Sequence, residues 1–111
     1  MPDMIGNLEA MLASGQDNAL LRYTLGSHYL KTGVAQKAVE HLREAVRLDP
    51  AYSAAWKVYG RSLAAVEDLA GARDAYRQGI QAATQKGDIQ AAREMQVFLK
   101  RVQKQLDGQS S

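Results

Sequence analysis

The side chains that could carry out chemistry are few in this sequence, and their spacing does not bring them together. There are two histidines, His28 and His41, and no cysteine. Two histidines on different predicted helices supply too few ligands for a zinc site. His41, Ser62 and Asp68 could be written as a hydrolytic triad, but no Gly-x-Ser-x-Gly or comparable context surrounds the serine. We therefore expect neither a catalytic site nor a metal site.

Two cations are the clearest remaining candidates for binding. Lys57 and Arg61 lie four residues apart, which places them on one face of a helix. There they could bind a partner's carboxylate, although both could equally be solvated surface residues. The sequence carries no Gly-x-Gly-x-x-Gly motif and no phosphate-binding loop. It predicts no cofactor and no small-molecule substrate.

The composition is that of one globular domain built from helices. Of the 111 residues, 46% are hydrophobic and 23% are charged, and only two are proline. The formal net charge of +2 comes without a dense patch of Lys and Arg, so nucleic-acid binding is not expected. The first residues have no basic residue and no long apolar run, which predicts neither a secretory leader nor a membrane span. We expect a cytoplasmic protein that does not bind membranes.

The sequence repeats with a period of 34 residues. Shifting the chain by 34 aligns identical residues, among them Gly26 with Gly60, Ala38 with Ala72, and Arg43 with Arg77. A glycine inside a helix costs about 1 kcal/mol relative to alanine, and it is tolerated where a neighbouring helix passes too close for a Cβ atom. Small residues facing large ones at fixed spacing predict a stack of antiparallel helix pairs.

The repeat resembles the tetratricopeptide repeat (TPR) family. In residues 19–52 the matching residues are Leu25, Gly26, Tyr29, Ala38, Leu42, Ala45 and Pro50; in residues 53–86 they are Trp56, Gly60, Ala72 and Tyr76. The chain departs from the family pattern at Arg22 in the Trp position, Gly79 in place of Ala and Thr84 in place of Pro. The resemblance implies an all-α, short α-solenoid in which the first helix of each pair lines a concave groove.

We predict a single domain over residues 1–111 with about six helices. The helices are expected near residues 3–13, 17–31, 35–48, 52–66, 69–86 and 88–106. Residues 3–16 would cap the N-terminal end, 19–52 and 53–86 would be the two repeats, and 88–106 would be a C-terminal capping helix. The N-terminal helix has an apolar stripe of Met4, Ile5, Leu8, Met11 and Leu12, and residues 108–111 are expected to fray.

The helical period also predicts which residues line the groove. Those that point away from the second helix of each pair are Leu20, Tyr23, Ser27, Leu30, Lys31, Lys57 and Arg61. Many TPR proteins bind a carboxylate with a set of Lys, Asn and Arg, but Tyr23, Ser27 and Val58 stand in the Lys and Asn positions here. The predicted function is a non-catalytic interaction module that binds a peptide or helix of a protein partner, which could carry an acidic segment.

Two alternatives remain open. The chain could be a self-assembling, homodimeric structural subunit, because two repeats make a short stack and a second chain could cover the stripe of Met95, Phe98, Leu99 and Val102. The basic face of the last helix could instead contact nucleic acid or a membrane, although such faces are more often solvated. Its residues are Arg93, Lys100, Arg101 and Lys104.

Overall fold

The computed structural model describes residues 3–109, and these residues form six α-helices and no strand. The helices are α1 (Met4–Ala13), α2 (Ala19–Lys31), α3 (Ala35–Leu48), α4 (Ser53–Ala65), α5 (Leu69–Lys86) and α6 (Ile89–Gln109). The molecule measures 49 × 31 × 20 Å, and its smallest dimension is about two helix diameters. The predicted all-α solenoid of about six helices is confirmed.

Capping interactions set the helix ends within a few residues of the predicted ones. Helix α2 begins at Ala19 rather than at residue 17, because the Asn18 side chain accepts a hydrogen bond from the Leu21 amide at 2.8 Å. Gly87 ends α5 in the left-handed conformation, at φ 77°. The predicted fraying from residue 108 is wrong for residues 108 and 109, which are helical, while residues 110 and 111 lie outside the described part. A hydrogen bond from Gln103 to Asp107 at 3.0 Å supports this last turn.

The two mid-helix glycines lie where the paired helix passes closest. A Cβ atom built on Gly26 would lie 2.4 Å from Leu42 Cγ, and one built on Gly60 would lie 2.4 Å from Tyr76 Cε1. Leu42 and Tyr76 are both buried. The same arrangement recurs between Gly79 and Met95, where the distance to Sδ is also 2.4 Å. The prediction that these glycines allow close helix packing is confirmed.

Trp56 fixes the junction between the two helix pairs. Its indole Nε1 donates a hydrogen bond to the Pro50 carbonyl oxygen at 2.8 Å, and its Cβ lies against Gly79. In the same turn the Asp49 carboxylate accepts a hydrogen bond from the Ala51 amide. The family's Trp position therefore links the turn before α4 to helix α5 behind it.

The two ends of the solenoid are covered unequally. Helix α1 has no buried residue, and the stripe predicted for it is only partly used, since Met4 is 67% exposed. At the other end Met95 and Val102 are buried against α5, and Phe98 stacks on Tyr76 with ring centroids 5.7 Å apart. The chain thus buries Met95 and Val102 itself, while Phe98 and Leu99 stay half-buried, and the homodimer stays an open alternative.

Candidate functional site

A concave cleft of about 510 Å³ lies between α2 and α4. Six of the seven residues predicted for the groove line it: Tyr23, Ser27, Leu30 and Lys31 from α2, and Lys57 and Arg61 from α4. Leu20 does not, because it lies in the first turn of α2, where its side chain is 64% exposed. Val58 completes the lining, and a search for polar or open-face residues misses it because it also packs on Ala38 and Leu42. The role of these residues in binding remains a prediction.

The cations of the cleft differ in their surroundings. Lys57 Nζ donates a hydrogen bond to Glu94 Oε2 at 2.9 Å, so Lys57 is not the open cation that its spacing from Arg61 suggested. The Lys57 ammonium lowers the pKa of the Glu94 carboxyl below its usual value. Within residues 3–109, Lys31 and Arg61 form no ion pair. The positive charge available to a ligand therefore lies with Lys31 and Arg61.

Ser27 provides a polar group on the floor of the cleft. Its Oγ atom is buried, and no group among the described residues forms a hydrogen bond with it. A buried hydroxyl without a hydrogen-bond partner lowers the stability of the folded protein by about 1–3 kcal/mol relative to one that has a partner. Most buried polar groups in proteins have a hydrogen-bond partner, so Ser27 is an exception among the residues that line the cleft.

The cleft continues toward the N-terminal helix. A second cleft of about 270 Å³ lies between α1 and α2, where Met4 and Ile5 face Tyr23, Ser27 and Lys31. The three α2 residues line both clefts, so the two form one surface that is apolar at its α1 end and cationic at its α4 end. The Tyr23 ring is held in place by Tyr52, with ring centroids 5.0 Å apart.

Arg22, which occupies the family's Trp position, organises a polar network behind the cleft. It forms two hydrogen bonds to Asp17, at 2.9 and 3.0 Å, and its Nη1 atom lies 3.2 Å from His41 Nδ1. An arginine only donates, so His41 Nδ1 must accept, and the proton of the neutral ring lies on Nε2. That nitrogen faces Glu9 of α1, which also accepts a hydrogen bond from the Tyr29 hydroxyl.

Within residues 3–109, no three His, Asp or Glu side chains come together as potential metal ligands. His41 instead stacks on Tyr29 with an interplanar angle of 7°, and His28 meets the edge of the same ring. Ser62 and Asp68, the other two residues of the triad considered from the sequence, form hydrogen bonds with nearby backbone groups. Ser62 Oγ donates to the Tyr59 carbonyl oxygen, and the Asp68 carboxylate caps α5 at Gly71.

Acidification is expected to destabilise the protein through His41. Burial lowers the pKa of His41, so the unfolded chain binds its proton more readily than the folded chain. The contribution of the neutral ring to the free energy of unfolding is complete above about pH 6.5, the ordinary histidine pKa. It is lost as the pH falls through the pKa of His41 in the folded state, which is lower. Urea unfolding from pH 8 to pH 5 should show this decline, and His41→Gln should flatten it. An equal slope in the variant would contradict the prediction.

Together these features define a short solenoid of paired antiparallel helices whose first helices line a cleft. In sequence, the chain is 54% identical over 99 residues to a TPR repeat-containing protein of Pseudomonas aeruginosa, covering 89% of this chain and 94% of that one. The chain therefore belongs to the tetratricopeptide repeat proteins. A scan against protein-family models gave no match.

Solved structures show the same fold. A solution structure of a protein from Bordetella parapertussis is 47% identical, covers 95% of this chain and 91% of its own, and gives a TM-score of 0.79. The crystal structure of the Sgt2 TPR domain from Aspergillus fumigatus gives a TM-score of 0.80 at 26% identity, covering 96% of this chain and 68% of that one. None of the helices in residues 3–109 has the length and apolar character required to cross a membrane.

Proposed function

We propose that this chain is a non-catalytic interaction module that binds a peptide or helix of a partner protein in the cleft between α2 and α4. The observation that carries the proposal is the convergence of six predicted groove residues, from two separate helices, on one concave surface. TPR proteins in general are protein-interaction modules, which supports this assignment. The expectations of a cytoplasmic location, and of no cofactor or small-molecule substrate, are parts of the same proposal.

The chemistry of the lining favours a ligand with both apolar and acidic groups. Tyr23 offers an apolar ring with a polar end, a combination common in protein interfaces, and Leu30 and Val58 add apolar surface beside it. Lys31 and Arg61 would bind a carboxylate, which in the case of Arg can form two parallel hydrogen bonds. The volume of about 510 Å³ accommodates a few side chains rather than a folded domain.

Substitutions in the cleft are expected to weaken peptide binding by tenfold or more. Tyr23→Ala removes the aromatic surface, and Arg61→Glu replaces an attractive charge with a repulsive one. We would select peptides on the immobilised protein from a display library and measure their Kd by fluorescence anisotropy. Leu20→Ala on α2 and Arg93→Glu on α6 are matched controls outside the cleft, and we expect their Kd to stay within twofold of the wild-type value. Unchanged binding by both cleft variants would rule out this site.

A further inference from the structure

Glu94 of α6 holds a position next to the cleft that a ligand's carboxylate would also occupy. We propose that Glu94 is an internal competitor for Lys57, and that an acidic segment of the partner binds by displacing it from that ammonium group. The inference rests on the proposed function of the cleft and adds the class of partner. The partner segment would carry at least two carboxylates, one that binds Lys57 and one that binds Lys31 or Arg61.

Both oxygens of the Glu94 carboxylate have partners in the structure. Oε2 accepts from Lys57 Nζ at 2.9 Å, and Oε1 lies 3.5 Å from Gln90 Nε2 on the preceding helical turn. The contact with Gln90 is long for a hydrogen bond, so the 2.9 Å bond from Lys57 is the one that holds the carboxylate toward α4. Of the three side chains, only Lys57 lines the cleft, so the ion pair joins the ligand surface to the capping helix α6.

The ion pair is accessible enough to exchange. The Lys57 side chain is 27% exposed and that of Glu94 is 42% exposed, so water and solutes can reach both groups. Exposed ion pairs contribute little to stability, because water solvates the separated charges well. A ligand carboxylate can thus replace Glu94 on Lys57, and Glu94 then turns to solvent without leaving a buried charge behind.

This exchange would set how strongly the cleft binds acidic ligands. While Glu94 neutralises Lys57, a ligand with a single acidic group gains its electrostatic attraction from Lys31 and Arg61 alone. A ligand with a second carboxylate gains Lys57 as well, but it must outcompete a group that is always present at high effective concentration. The pair therefore lowers the affinity of the cleft for ligands that bind Lys57, because each of them must displace Glu94.

The test compares binding of two labelled, terminally blocked peptides of about twelve residues, one rich in Glu and Leu and the other with every Glu replaced by Gln. Glu94→Gln should bind the Glu peptide about three- to tenfold more tightly than the wild type and leave the Gln peptide unchanged. Lys57→Met combined with Glu94→Gln should remove the gain, because the gain depends on Lys57. Asp107→Asn, which makes the same charge change on α6 away from the cleft, should shift the Kd by less than twofold.

A direct readout follows Glu94 itself. With carboxyl-selective NMR, the pKa of Glu94 should rise toward its ordinary value when saturating Glu peptide removes it from Lys57, and it should stay low with the Gln peptide. The proposal is overturned if the Glu peptide binds in an Arg61-dependent manner while Glu94→Gln changes its Kd no more than Asp107→Asn does. In that case the cleft remains the binding site. If the Glu peptide binds and neither Tyr23→Ala nor Arg61→Glu weakens it, the proposed function itself fails.

Discussion

Replacing Gly60 with alanine is expected to lower the free energy of unfolding by about 2 kcal/mol, although alanine is the better helix former. The new Cβ atom would lie 2.4 Å from Cε1 and 2.6 Å from Cδ1 of Tyr76, far inside van der Waals contact. The Tyr76 ring cannot move aside easily, because it is only 2% exposed and stacks on Phe98. Helices α4 and α5 would have to separate, and urea unfolding would report the loss of stability.

Gly108 provides the matched control for this substitution. It also lies in a helix, but a Cβ atom at that position would meet nothing within 4 Å. Gly108→Ala should leave the stability unchanged or raise it by up to about 1 kcal/mol, as helix propensity alone predicts. Equal effects of the two alanines would show that helix propensity, and not the approach of Tyr76, governs position 60.

Replacing Leu42 with alanine is expected to cost about 3 kcal/mol of stability. Leu42 is completely buried and belongs to the cluster with Ala38 and Val58, next to the lining of the cleft. Truncation removes apolar surface from the core and leaves a cavity next to Gly26 of α2. Thermal or urea unfolding of the variant gives the magnitude.

The same cavity should reverse the effect of a substitution at Gly26. In the wild type, Gly26→Ala should cost about 1–3 kcal/mol, because its Cβ atom would lie 2.4 Å from Leu42 Cγ. In the Leu42→Ala background that atom is gone, so Gly26→Ala should be neutral or stabilising. The double-mutant cycle measures this coupling, and simple additivity of the two changes would contradict direct contact between positions 26 and 42.

The fold could be predicted from sequence because its determinants are local and repeated. Gly26 faces Leu42 and Gly60 faces Tyr76 at the same separation along the chain, so one rule of small against large specifies both helix pairs. The open face of α2 and α4 follows from the same helical period. That period alone predicted six of the residues that line the cleft.

The remaining features depend on pairs of side chains that helical periodicity does not relate. The contact between Lys57 and Glu94 requires the curvature that brings α6 beside α4, and the length of both side chains. Arg22 looked like a departure from the family pattern, and only the structure shows that it joins Asp17 to His41. Leu20 has the period of a groove residue, but it lies before the point where α4 approaches α2.

The order of packing along the chain also has a consequence for how the protein folds. The extensive interfaces join helices that follow one another in sequence, from α2 with α3 through to α5 with α6. These interfaces join helices connected by short turns, so none of them requires a long loop to close. Chains of this kind fold in roughly microseconds to milliseconds, and folding can begin at any helix pair and spread to its neighbours. Helix α1, which buries no residue, would be the last element to dock.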